Sequence, residues 1–98
     1  MTHFSEEAIR IMTAIPEGRV ASYGRIAEIA GNPRGARQVA RLLHSSSEKY
    51  GIPWHRILSA GGKISLTGIL ADEQRSLLED EGIEFDIRGR IDMDRYSI

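Results

Sequence analysis

Three groups of side chains in this sequence could do chemistry, and their spacing decides which chemistry that would be. The stretch Pro53-Trp54-His55-Arg56 sets the chain's single tryptophan beside an imidazole and a guanidinium. Glu81 falls between Leu77 and Leu78 on a helical wheel. A carboxylate on an apolar face is costly to bury alone. His55 is its candidate partner, because a carboxylate can hold and orient an imidazole; otherwise Glu81 reaches solvent where its helix ends. The third group is Arg34, Arg37 and Arg41, at i, i+3 and i+7, opposite Ala36, Val39, Leu42 and Leu43. A helix with an apolar back and an arginine front suits the phosphates and base edges of a DNA groove, or else presents a solvated surface.

Other chemistries lack their residues. With no cysteine there is no disulfide, thiolate nucleophile or thiolate metal site. His3, His44 and His55 have no metal-ligand spacing, so neither a metal nor a cofactor is expected. No nucleophile-elbow pattern supports a Ser-His-Asp arrangement. No phosphate-cradling glycine loop ending in Lys-Ser or Lys-Thr is present.

The elements that must position these side chains follow from caps and periodicity. Ser5 is a plausible N-cap, with Glu6 and Glu7 in the first turn and an apolar stripe of Ala8, Ile11, Met12 and Ile15. Pro16 and Gly18 end this helix. Ser22 caps a second helix that stops at Gly31, and Asn32 caps a third over residues 33–45, with Pro33 at its first position. Two helices joined by a tight Gly-Asn turn read as a helix-turn-helix. Residues 56–60 and 63–66 flank Gly61-Gly62 and predict a hairpin. A fourth helix is expected over about 70–81, ending at Gly82. In the tail, Ile83, Phe85 and Ile87 alternate with Glu84, Asp86 and Arg88, which predicts a strand or lid-like extended segment over 83–98. The expected fold is mainly α with a small β-hairpin, a winged-helix/helix-turn-helix DNA-binding domain.

At 98 residues the chain makes one domain, 1–98, with a modest core. Its 41% hydrophobic and 28% charged content is that of an ordinary globule. No apolar run nears the roughly 18 residues of a membrane span, and no signal-peptide pattern is seen; a cytoplasmic monomer is the expectation. The net charge of −1 hides an asymmetry. Residues 19–56 carry seven Arg/Lys against Glu28 and Glu48, net +5, whereas 72–98 carry four Arg against nine Asp/Glu, net −5. One basic and one acidic surface are implied.

The stretches SYGRIAEIAGNPRGARQVARLL and IPWHRIL closely resemble the DNA-binding domain of the O6-alkylguanine-DNA alkyltransferases, over roughly residues 5–82. Those enzymes read Pro-Cys-His-Arg where this chain reads Pro-Trp-His-Arg. With Trp54 at the place of the alkyl-accepting cysteine, the sequence resembles the alkyltransferase-like proteins, which bind O6-alkylguanine without removing the alkyl group. Dealkylation needs a soft nucleophile such as a thiolate, and indole is a poor substitute. The resemblance implies that His55 and Glu81 match the activating pair but act here only as structural support. It implies that Arg37 enters the duplex to fill the space of the flipped base, where its planar guanidinium can stack and hydrogen-bond. Tyr23 would press on the phosphate of the flipped nucleotide, unless its hydroxyl simply caps a helix. Tyr23, Trp54 and Arg56 would form the alkylguanine pocket, and Arg34 and Arg41 would hold phosphates. Binding through the minor groove is part of the same resemblance.

Two departures stand out: the transferases' Tyr-Ser-Gly-Gly loop reads Ser-Leu-Thr-Gly-Ile at 65–69, and Ser46 occupies the place of their asparagine. The expected function is a non-enzymatic damage sensor that flips O6-alkylguanine in double-stranded DNA and hands it to the damage-recognition proteins of nucleotide excision repair. Two alternatives remain open. One is a winged-helix transcription regulator. The other is a DNA repair enzyme with a non-cysteine acceptor, either a glycosylase or one transferring the alkyl group to His55.

Overall fold

The computed structural model describes residues 1–98. Helix α1 (His3–Thr13) begins at Thr2 rather than Ser5. The Thr2 hydroxyl accepts the Ser5 N–H at 3.1 Å, the N-cap to N3 spacing, while Ser5 itself is buried in the first turn. A short strand β1 (Ala21–Ser22) leads into α2 (Tyr23–Ile29), where the Ser22 hydroxyl caps the helix by accepting the Arg25 N–H at 3.0 Å. Helix α2 ends in hydrogen bonds from Gly31 N–H to Glu28 O and from Asn32 N–H to Ala27 O.

The third helix departs from expectation at both ends. Helix α3 runs Ala36–Tyr50, starting later and ending later than 33–45. Asn32 closes a turn of its own first: its Oδ1 accepts the Arg34 N–H at 3.2 Å and its carbonyl accepts the Gly35 N–H at 2.9 Å. Arg34 therefore lies in the entry turn, and only Arg37 and Arg41 share a helical face. Helices α1, α2 and α3 pack on one another as the expected helix-turn-helix and its support.

After α3 the chain makes a 3-10 turn (Trp54–Arg56) and enters β2 (Ile57–Leu58). β2 pairs with β1 in parallel, Ala21 with Ile57 and Ser22 with Leu58. This replaces the expected hairpin. Residues 59–63 do turn back tightly, with Gly62 N–H bonded to Ser59 O, but the returning segment forms no strand. Instead Gly62 meets the tail: the Ile91 N–H donates to its carbonyl at 2.9 Å. Helix α4 covers Gly68–Asp80.

The parallel pair divides the interior because neighbouring residues of a strand face opposite ways. Ala21 and Ile57 join Met12, Ile26 and Val39 in a core among the first three helices. Val20 and Leu58 face a second core with Leu78, Ile83, Ile91 and Tyr96. Each fully buried aliphatic side chain contributes roughly 1.5–3 kcal/mol relative to exposure.

The tail is consequently neither extended nor a lid. Ile83 and Ile91 are buried, Phe85 bridges to Ile91, and a final helical turn α5 (Met93–Tyr96) brings Tyr96 into the second core. Only the turn at Asp86–Gly89 stands away, leaving Ile87 fully exposed. No helix is long and apolar enough to cross a membrane.

Candidate nucleic-acid interface

Glu81 follows α4 as its C-cap, and its side chain is only 9% exposed. The Arg56 Nη2 donates to Oε2 at 2.8 Å, and Arg56 Nε lies 3.0 and 3.1 Å from the two oxygens. The Gly18 N–H donates to Oε1 at 3.0 Å. His55 Nε2 is 2.6 Å from Oε2. Burial would push the Glu81 carboxyl up, but the hydrogen bonds from Arg56, His55 and Gly18 outweigh it and hold the group at about 2. An ionised carboxylate can only accept, so Nε2 must carry the proton it shares with Glu81. The same bonds raise the Arg56 guanidinium above its usual range.

Arg56 also donates from Nη1 to the Ile15 carbonyl at 2.9 Å. This corrects the expectation that Arg56 lines a ligand pocket. Its guanidinium is spent on Glu81 and the end of α1, and it does not reach the cavity described next.

That cavity, of about 310 Å³, opens between α3 and the start of α4. Ligand sites typically span about 300–1,000 Å³, so it suits a ligand the size of a single base. Tyr23, the first residue of α2, and Trp54, in the 3-10 turn, both line it. Trp54 is half-buried, and its ring meets that of His55 edge-on at 6.2 Å between centroids. Ser22, not Tyr23, supplies the cap of α2, and the Tyr23 hydroxyl makes no hydrogen bond in the protein.

Four α3 residues form one wall: Ala40, Leu43, His44 and Ser47, at i, i+3, i+4 and i+7. From the α4 side come Leu66, Leu70 and Gln74. Sequence reasoning missed His44, Ser47 and Gln74. For His44 and Ser47 the only signal was the shared helical spacing with Ala40 and Leu43, which an ordinary packed face would also show; for Gln74 there was none. His3, His44 and His55 are not brought together, and no cluster of His, Asp or Glu is arranged to hold a metal.

The arginine face borders this wall. At about 100° per residue, Arg37 and Arg41 project beside Ala40 and His44. Arg34, Arg37 and Arg41 are exposed, and none makes an ion pair or side-chain hydrogen bond within the protein. The other arginines of this half are occupied. Arg25 pairs with Glu28, Arg19 donates to the Arg95 carbonyl, and Arg56 is held by Glu81.

A helix-turn-helix with an exposed, unpaired arginine face defines a class, the DNA-binding domains. Residues 3–83 match the family described as 6-O-methylguanine DNA methyltransferase, DNA binding domain, and the chain belongs to it. Among its relatives, the DNA base-flipping protein of Escherichia coli is 44% identical over 93 residues, 95% of this chain and 72% of that one. Alkyltransferase-like protein 1 of Schizosaccharomyces pombe is 38% identical, with 86% of this chain and 80% of the relative covered. The crystal structure of S. pombe Atl1 in complex with damaged DNA containing O6-carboxymethylguanine superposes with a TM-score of 0.81 at 32% identity. It covers 100% of this chain and 96% of that one. The fold is that of the alkyltransferase-like proteins.

Proposed function

We propose that this protein binds double-stranded DNA as a monomer, extrudes an O6-alkylguanine into the cavity beside α3, and holds it without removing the alkyl group. The observation that carries the reading is the cavity walled by Trp54 and Tyr23 and bordered by Arg37 and Arg41, whose guanidinium groups have no partner within the protein. Arg37 fills the vacated stack. Arg34 and Arg41 neutralise phosphates, and Tyr23 turns the phosphate of the flipped nucleotide. Trp54, at the place of the transferases' cysteine, gives the alkyl group an apolar, π-rich wall.

Displacement at the alkyl carbon needs a strong nucleophile, and the chain has no thiol. His55 has one nitrogen committed to Glu81 and an indole as its neighbour, so it has nothing to activate. A protein that finds a lesion and leaves it chemically intact must pass it on. We assign that step to the damage-recognition proteins of nucleotide excision repair.

The test is a titration of duplexes with and without O6-methylguanine, followed by duplex anisotropy and Trp54 fluorescence, with the protein mass recorded afterwards. Tighter binding of the lesion duplex with no added methyl is expected. Equal affinity for the two duplexes ends the reading.

A further inference from the structure

Gln74 is 2% exposed and comes from α4 into the wall of the cavity. Its Nε2 lies 3.1 Å from the carbonyl oxygens of both His55 and Ile57. Two acceptors facing one atom identify that atom as the amide nitrogen and fix the orientation of the group. Both amide hydrogens are thereby used. Oε1 accepts no hydrogen bond from the protein, yet no buried polar atom is left unpaired. Oε1 is therefore not sealed off, and it belongs to a residue that lines the cavity, with its amide group held by the two bonds that anchor the nitrogen.

The geometry points to Gln74 Oε1 as the acceptor that reads the 2-amino group of the flipped base, making Gln74 a specificity-determining residue. This rests on the proposed reading of the cavity and narrows it. Alkylation at O6 removes the hydrogen from N1, so N1 joins N3 and N7 as an acceptor. The exocyclic 2-amino group is then the one N–H donor left on the base. An acceptor fixed in a mostly apolar cavity discriminates against a base that lacks the matching donor, because Oε1 is then buried unpaired.

The experiment compares wild-type binding to three duplexes identical except at one position, which holds guanine, O6-methylguanine or O6-methylhypoxanthine. The last is the same lesion without its 2-amino group. Wild type is expected to bind O6-methylhypoxanthine about tenfold more weakly than O6-methylguanine. In Gln74→Leu, or in Gln74→Met, which matches glutamine in length, that ratio is expected to fall to about one. The ratio is taken within each variant, so a general loss of affinity from releasing the His55–Ile57 segment cancels. Equal wild-type binding of the two lesions overturns the proposal, and so does a tenfold ratio that survives in either variant. If O6-methylguanine is bound no better than guanine, the reading of the cavity itself fails, and the role of Gln74 with it.

Discussion

Arg34 and Arg37 are both exposed and unpaired, yet they stand in different places, and the difference separates their expected effects. Arg34 sits in the turn closed by Asn32, ahead of α3. From there it can supply charge but does not border the cavity. Arg34→Ala is expected to weaken binding of intact and lesion-bearing duplex equally. The slope of log K against log salt should flatten by about one. A selective loss of lesion binding would show that it does more than neutralise a phosphate. Arg37 lies on α3 beside Ala40 and His44 of the cavity wall. Arg37→Ala is expected to reduce affinity for the lesion duplex by more than for the intact one, since the space left by an extruded base goes unfilled. Anisotropy titrations of both duplexes give the ratio, and an unchanged ratio removes the finger role.

At the scale of elements, the turn after β2 holds the sharpest constraint. Gly62 has φ +75°, and a Cβ there would stand 2.2 Å from the Ile91 carbonyl oxygen. Gly62→Ala is expected to cost at least about 2 kcal/mol in urea unfolding, because strain and a backbone clash act together. A variant as stable as wild type would mean that the tail does not dock on this turn. The same contact shows where sequence reading stops. The helix-turn-helix was legible because its determinants are local: the Ser22 cap, the stop at Gly31 and the apolar spacing of α3. The hairpin was misread because Ile57 and Leu58 find their partners at Ala21 and Ser22, and strands of two residues carry no periodicity to betray a distant pairing. In the tail, the alternation of Ile83, Phe85 and Ile87 suggested a continuous strand, but Ile87 caps an exposed turn while Ile83 is buried. The meeting of Trp54 and Tyr23 at one cavity was legible through the resemblance of their motifs. Gln74 was not, since its importance lies in two hydrogen bonds to backbone oxygens that no spacing reveals. The resemblance puts Arg56 in the pocket with Trp54 and Tyr23; the 3-10 turn sends it the other way, to Glu81.

Glu81 is where the whole molecule is fastened. Through Gly18 and Arg56 it ties the segment between α1 and β1 to the 3-10 turn, and as the C-cap of α4 it joins both to the second core. Its pKa falls from 4.5, the ordinary value expected in the unfolded chain, to about 2 in the fold. A carboxylate depressed in this way stabilises the fold in full above about pH 4.5, loses that contribution as pH falls towards 2, and contributes nothing below. The shift corresponds to about 3 kcal/mol. For a domain whose total stability is of order 5–15 kcal/mol, that is a large share. Glu81→Gln keeps the volume and removes the charge, leaving the half-buried Arg56 without its counterion. Urea unfolding of wild type and variant at about pH 7, 4.5 and 2.5 is expected to show the variant weaker by about 3 kcal/mol at the first, with the gap closing towards the last. A gap that stayed constant with pH would place the loss in packing rather than in the ionised carboxylate, and the clasp between the two cores would then owe nothing to its charge.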